Sequence, residues 1–449
     1  MIRPDRHFPE IYRYCKQEAG RVRLVSGFAG ATALCLAAAF LVKHTTGSWY
    51  DFLKIVTFMQ FNMLLFYGTL CTAKSVTQER AARTWDFQRL TPLSAFRLAA
   101  GKFLGAPVFP WFLAASMLPA GLAAGLLGTG IQTDFLCRYA LGITASLLFM
   151  AAGLLASSYD ETGGSGAGFL SGPLLGLVGL SVLNTGFRYR DQVLGLYPEP
   201  MGFYGYTLGY VPGVTFLSVS FLVFAAWAFL GARYRIGRDL LEKRRLWRMP
   251  AFMFFLAWYA AGMAMADNSR PPTAPVSALL LPALAAYISA VLSGERREYW
   301  RRWLSPGGRL AARLDEAPAW LKGTAAVFLI AAVLAGINFF TGLFGPPTAF
   351  WRAFVLLPLF LLRDMMFLQW CRFSNSRRPE VMALIYIALA YALPGMILGP
   401  TGMKTAMPYF VPYVYANISA AANLAGPLAQ VLVMGYFLYR KTKGTLVSI

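Results

Sequence analysis

The sequence predicts an all-α polytopic membrane protein of about twelve transmembrane helices, set as two pseudo-repeated six-helix blocks behind an N-terminal interfacial helix. Three observations predict it. Of the 449 residues, 57% are hydrophobic and 14% charged, far below the roughly 25% charged content of soluble domains. Apolar runs of about 20 residues recur along the whole chain, each long enough as a helix to cross a hydrocarbon core of about 30 Å. Finally, 32 of the 41 Lys and Arg residues fall in alternate loops between these runs.

The opening residues, "MIRPDRHFPEIYRYCKQEAGRVR", are too polar for the apolar core of a signal peptide, and no cleavage-type run of small residues follows. They read as an interfacial helix with Phe8, Ile11, Tyr12 and Cys15 on one side and Arg13, Lys16 and Arg23 reaching for headgroups. Spans then follow near 24–43, 53–74, 104–128, 135–157, 167–184 and 211–232, which complete a first block over 1–249. The second block, 250–449, has spans near 250–266, 275–293, 322–342, 350–371, 380–399 and 410–438. The fifth span is rich in Gly and Ser, and the seventh is short. The longest loops on the Lys/Arg-poor side, 185–210 and 400–409, mix Pro, Gly and Tyr and suit short helices dipping at the interface.

Charge sets the orientation. The N-terminus, the loops 74–103, 232–249, 294–322 and 372–379, and the tail carry the basic residues, which places both termini in the cytoplasm. The same asymmetry explains the net charge of +21 without a nucleic-acid partner; the basic partner surface is membrane lipid. Five cysteines stand without paired spacing and only two histidines occur, so neither a disulfide framework, a metal site nor a His-based catalytic triad is expected. No cofactor is implied.

The stretch "TQERAARTWDFQRLTPLSAFRLAAGK" (77–102) is longer and more polar than a connector needs. It reads as an amphipathic cytoplasmic helix, a break, and a second short helix leading into the third span. Val76, Ala81, Trp85 and Phe87 face bilayer or protein, while Glu79, Arg80, Arg83 and Arg89 face water. Pro92 punctuates the two helices, with Thr91 as an N-cap. A helix lying on lipid is the bland reading, but Glu79 and Asp86 gain nothing beside an anionic surface and suit a protein partner better. The segment 293–316, after the eighth span, repeats the pattern loosely through Glu295, Arg296, Trp300, Leu304 and Pro306.

Glu79, Thr84, Asp86, Leu90, Pro92, Ser94, Gly101 and Lys102 together resemble the signature between the second and third spans of ABC-2 type permeases. These are the membrane subunits of a class of ATP-binding-cassette exporters. The resemblance extends to the N-terminal helix, the six-span layout and the loop before the sixth span, about half the chain. Arg83 departs from it, standing where the family usually has glycine, and Trp85 follows the threonine. The resemblance implies that 77–102, with Arg80 and Trp85 among its residues, couples to a separate nucleotide-binding ATPase, through a stiff helix anchored at the proline and a Gly-Lys hinge. It also implies an exporter in a bacterial inner membrane, whose substrate stays unknown. By layout, Glu295 and Arg296 belong to a degenerate second coupling segment.

The chain lacks a G-x-x-x-x-G-K-[ST] phosphate loop: Gly101-Lys102 is followed by Phe103 and has no upstream glycine. ATP hydrolysis is therefore expected on another polypeptide, and this chain is expected not to be an enzyme. Arg363-Asp364 is an intramembrane polar pair, read either as functional or as a self-neutralised pair near the cytoplasmic end of its span. Gln60, Asn62, Asn338, Asn417, Asn423 and Gln430 are expected to bond neighbouring helices. An ion-coupled secondary transporter is the alternative reading, though it calls for buried acids in several spans and Asp364 stands nearly alone. An integral membrane enzyme is weaker still, since no catalytic constellation appears.

Overall fold

The computed structural model describes residues 9–18, 20–91, 93–128, 132–159, 175–178, 201–240, 248–265, 274–293, 300, 303, 317–341, 347–374, 379–401, 403–411 and 420–446. It is helical almost throughout, and the chain divides into two compact units, 1–201 with 208–244 and 202–207 with 245–449.

The first unit contains α1 (Pro9–Glu18), α2 (Arg21–Thr45), α3 (Trp49–Ala81), α4 (Trp85–Leu90), α5 (Ala95–Gly105), α6 (Val108–Leu127), α7 (Gln132–Tyr159) and α8 (Tyr210–Asp239). Local chemistry sets its joints. Gly47, at φ +64°, ends α2 in a left-handed turn, and the Ser48 hydroxyl caps α3 by accepting from Tyr50 N at 3.2 Å. Pro107, which has no backbone N–H to donate, stands at the N-cap of α6 and separates it from α5. The core lies where α3, α7 and α8 meet, around Phe61, Leu64, Leu65, Leu141, Ala145, Met150 and Val214.

The second unit takes residues 202–207 of a two-stranded ribbon, β1 (Met201–Phe203) and β2 (Tyr206–Leu208), then α9 (Arg248–Ala264), α10 (Ala274–Ser293), α11 (Ala319–Thr341), α12 (Pro347–Arg372) and α13 (Pro379–Leu398). A short 3-10 helix (Lys404–Tyr409) and α14 (Ala420–Leu446) complete it. Met253, Leu279, Val327, Ile330, Leu361, Met365 and Leu368 form its core. α13 buries almost none of its apolar stretch.

Among the described residues, eight helices are long and apolar enough to cross a membrane: α2, α3, α6, α7, α8, α11, the Phe354–Arg372 part of α12, and the Val381–Leu398 part of α13. These match eight of the expected spans. In α10 the apolar stretch Val276–Val291 is shorter, α9 has 17 residues, and the last turns of α14 carry Arg440, Lys441 and Lys443. The expected span at 167–184 lies outside the described residues except for 175–178, which are helical. In the expected interfacial loop 185–210, residues 201–208 form strands rather than a short helix. Tyr204 and Gly205 both take positive φ (49° and 79°), the requirement of a tight hairpin turn, and Tyr204 N donates to Gly262 O at 2.9 Å.

Candidate functional site

The polar stretch 77–102 is built as an elbow. α3 has 33 residues, a length of roughly 50 Å against a hydrocarbon core of about 30 Å, so its last turns project past the apolar layer. Residues 77–81 are thus the end of α3 and not a separate cytoplasmic helix. α3 stops in a Schellman turn: Thr84 N donates to Glu79 O (2.9 Å), Arg83 N to Arg80 O (3.0 Å), and Arg83 takes the left-handed conformation at φ 56°. That is the position where the resembled family carries glycine, and only glycine adopts this conformation without steric cost. α4 follows at once. Ser94, rather than Thr91, then caps α5 by accepting from Arg97 N at 3.4 Å, while Thr91 donates to Gln88 O at 2.6 Å. Pro92 lies outside the described residues.

The inside of the elbow is a buried charge cluster. Glu79 is 8% exposed and Lys102 fully buried, and the two are ion-paired. Arg13 of α1 reaches Glu79 at 2.5 Å and Glu10 at 2.8 Å, so two acids and two bases balance. Burial pushes the Lys102 ammonium below its ordinary range, against the pull of Glu79. Burial, followed by the Glu79 charge, holds the Tyr14 phenol well above its ordinary value. Trp85 is buried over this cluster, with Lys102 Nζ 5.6 Å and Arg80 Cζ 5.3 Å from its ring centre. Arg80 pairs with Asp239 at 2.6 Å and donates to Ser158 O at 3.2 Å, tying α3 to α7 and α8. Apolar packing of Val76, Leu98, Ala99, Leu154, Ala232 and Ile236 completes the frame.

Three expectations are corrected here. Glu79 and Arg80 face the interior of the elbow rather than water, because each has a partner of opposite charge within the unit. Arg13 and Arg23 do not reach for headgroups: Arg13 serves Glu79, and Arg23 pairs with Glu18 and lies 4.3 Å over the Phe109 ring. Gly101-Lys102 is no hinge, since α5 runs through it unbroken. Gly101 is small because α1 crosses there, and a Cβ would run into Glu10. What the elbow leaves exposed is its tip: Phe87 at 73%, Leu90 at 84%, and the Asp86 side chain at 77%, paired at 3.5 Å with the exposed Arg89. Glu295 and Arg296 lie outside the described residues.

A second polar site lies in the other unit. Arg363 lies within the apolar part of α12, nine residues or about 14 Å before the helix ends at Arg372. Asp364 is buried. Its Oδ1 accepts from Arg363 Nε at 2.7 Å, and its Oδ2 from Tyr391 at 2.6 Å and from Tyr287. Arg363 Nη1 donates to Gln430 Oε1 at 2.7 Å, and Gln430 Nε2 donates on to Tyr409 O at 2.5 Å. Gln430 thus bonds a neighbouring helix as expected and also borders a cavity of about 380 Å³ beside the pair. The two tyrosines carried no signal that a single sequence exposes. Among the described residues, no group of His, Cys, Asp and Glu could hold a metal. No family model matches the chain, and no curated protein or solved structure does either.

Proposed function

We propose that the chain is the membrane permease subunit of an ATP-binding-cassette transporter, an exporter of the ABC-2 kind, driven by a separate ATPase. On this reading it sits in a bacterial inner membrane with both termini cytoplasmic, and twelve spans form two blocks around one pathway. The observation that carries the reading is the elbow: a motif-bearing segment with a cross-braced interior and an exposed tip of Phe87, Leu90 and the Asp86–Arg89 pair. A push delivered at Phe87 and Leu90 passes into α3, α5 and α8 through ion pairs and packing rather than through a slack loop. Glu79 is paired inside the elbow, so the docking surface is formed by Asp86, Phe87 and Leu90. The second coupling segment, at Glu295 and Arg296, is proposed from sequence layout.

The test is substitution at the tip. Phe87→Ser with Leu90→Ser removes two exposed apolar anchors, worth about 1–3 kcal/mol each if they insert into a partner. The ATPase that copurifies with the chain from native membranes should fall at least tenfold, with the variant's elution profile unchanged. An unaltered ratio of ATPase to permease would mean that the tip lies on lipid. The ion-coupled alternative draws on the buried Arg363–Asp364 site in α12. It requires uptake or efflux that follows a proton or sodium gradient and ignores ATP depletion.

A further inference from the structure

We propose that the cavity beside Arg363 is a lateral binding groove for an uncharged amphiphile, its oxygen acceptors meeting the guanidinium inside the apolar stretch of α12. The groove is floored by α12 and walled by α13 and α14. Phe367, Tyr386, Ala390, Ala429, Val433 and Met434 line it, a surface overwhelmingly apolar around one polar pair. Its walls continue outward into Leu389, Leu393, Leu432 and Tyr436, all exposed on the same two helices. An occupant can therefore enter from the bilayer and leave its chains among lipid tails, whereas a water-borne solute would meet this apolar surface first.

The hydrogen-bond inventory decides which head fits. Asp364 is filled as an acceptor by Arg363, Tyr287 and Tyr391. Arg363 is only partly filled as a donor: Nη2 is closed off in the ion pair with Asp364 at 2.6 Å, whereas Nη1 gives one proton to Gln430 and keeps a second, and the residue lines the cavity. The site therefore asks for an acceptor oxygen. It does not ask for a charge, because Arg363 and Asp364 already sum to zero, and an added anion would stand uncompensated in a low-dielectric layer. Hydroxyl and ester carbonyl oxygens on an uncharged head meet both conditions. That the occupant is also the transported substrate rests on the permease reading; that it binds here does not.

The test uses the full chain in nanodiscs with a photoactivatable diacylglycerol, its diazirine placed next to the glycerol, and a phosphatidic acid carrying the same chains and diazirine. Diacylglycerol should label α12, α13 and α14 around the cavity and be competed off by its unlabelled form. Ala390→Phe with Ala429→Phe fills the groove from two exposed positions without touching the polar pair. It should cut that labelling about tenfold, the loss of one hydrogen bond to a charged donor together with its apolar seat. Arg363→Met with Asp364→Asn, which removes both charges together, should cut it similarly. Labelling that survives groove filling, that is no stronger than on α2 or α6, or that favours phosphatidic acid overturns the proposal. Because no ATPase is present, these outcomes leave the permease reading to be judged on its own test.

Discussion

At the scale of the residue, Glu79 is the member on which the elbow's electrostatics converge. It accepts from Arg13 and Lys102 while Glu10 shares Arg13. Breaking a buried pair from one side strands the other charge, at about 3–5 kcal/mol, whereas removing both partners is far milder. Lys102→Met and Glu79→Gln should each lower the unfolding temperature markedly, and the double variant should recover most of the loss; additive losses would place the two charges in separate networks. Tyr14 predicts a pH dependence. Its phenol is held above the ordinary value of 10.0, chiefly by burial and then by Glu79, so the unfolded chain gives up the proton first. The native state then holds more protons, and stability falls as pH climbs past 10. Thermal melts from pH 8 to 11 should show a shallower decline for Tyr14→Phe than for the parent protein.

At the scale of the element, the joint between α3 and α4 turns on one backbone conformation. Arg83 occupies the left-handed region at a cost of about 1 kcal/mol relative to glycine. Arg83→Gly should hold or raise the unfolding temperature, and Arg83→Val, with a branched Cβ, should lower it by several degrees. A loss with glycine would show that the arginine side chain contributes more than its backbone strain. The helices themselves were legible because long apolar runs leave few alternatives, and the third, fourth and sixth spans of the first block were located closely. The joints were less legible. Residues 77–81 look amphipathic on their own, but Glu79 and Arg80 turn inward because α1, α5 and α8 bring opposite charges to them, and those partners are 23 to 159 positions away in sequence. Gly101-Lys102 looked like a hinge because a glycine's role depends on what crosses it. Tyr287 and Tyr391 were invisible as partners of Asp364 for the same reason, whereas the Arg363–Asp364 pair, adjacent in the chain, could be read directly.

At the scale of the whole molecule, the chain joins a braced polar elbow in one unit to a buried charge pair in the other. On the permease proposal, the first receives a mechanical push and the second holds a cargo head in an apolar layer. The sequence has no G-x-x-x-x-G-K-[ST] phosphate loop, and the proposed permease reading puts ATP hydrolysis on a separate polypeptide. An external motor is therefore the central claim. The most direct measurement is ATP hydrolysis across a purification of the chain from its native membranes at native abundance. The account predicts that hydrolysis coelutes with a second polypeptide bearing a phosphate loop, and that stripping this polypeptide leaves an intact chain with none. Hydrolysis by the stripped chain, or purification that never yields such a polypeptide from membranes where transport runs on ATP, would contradict it.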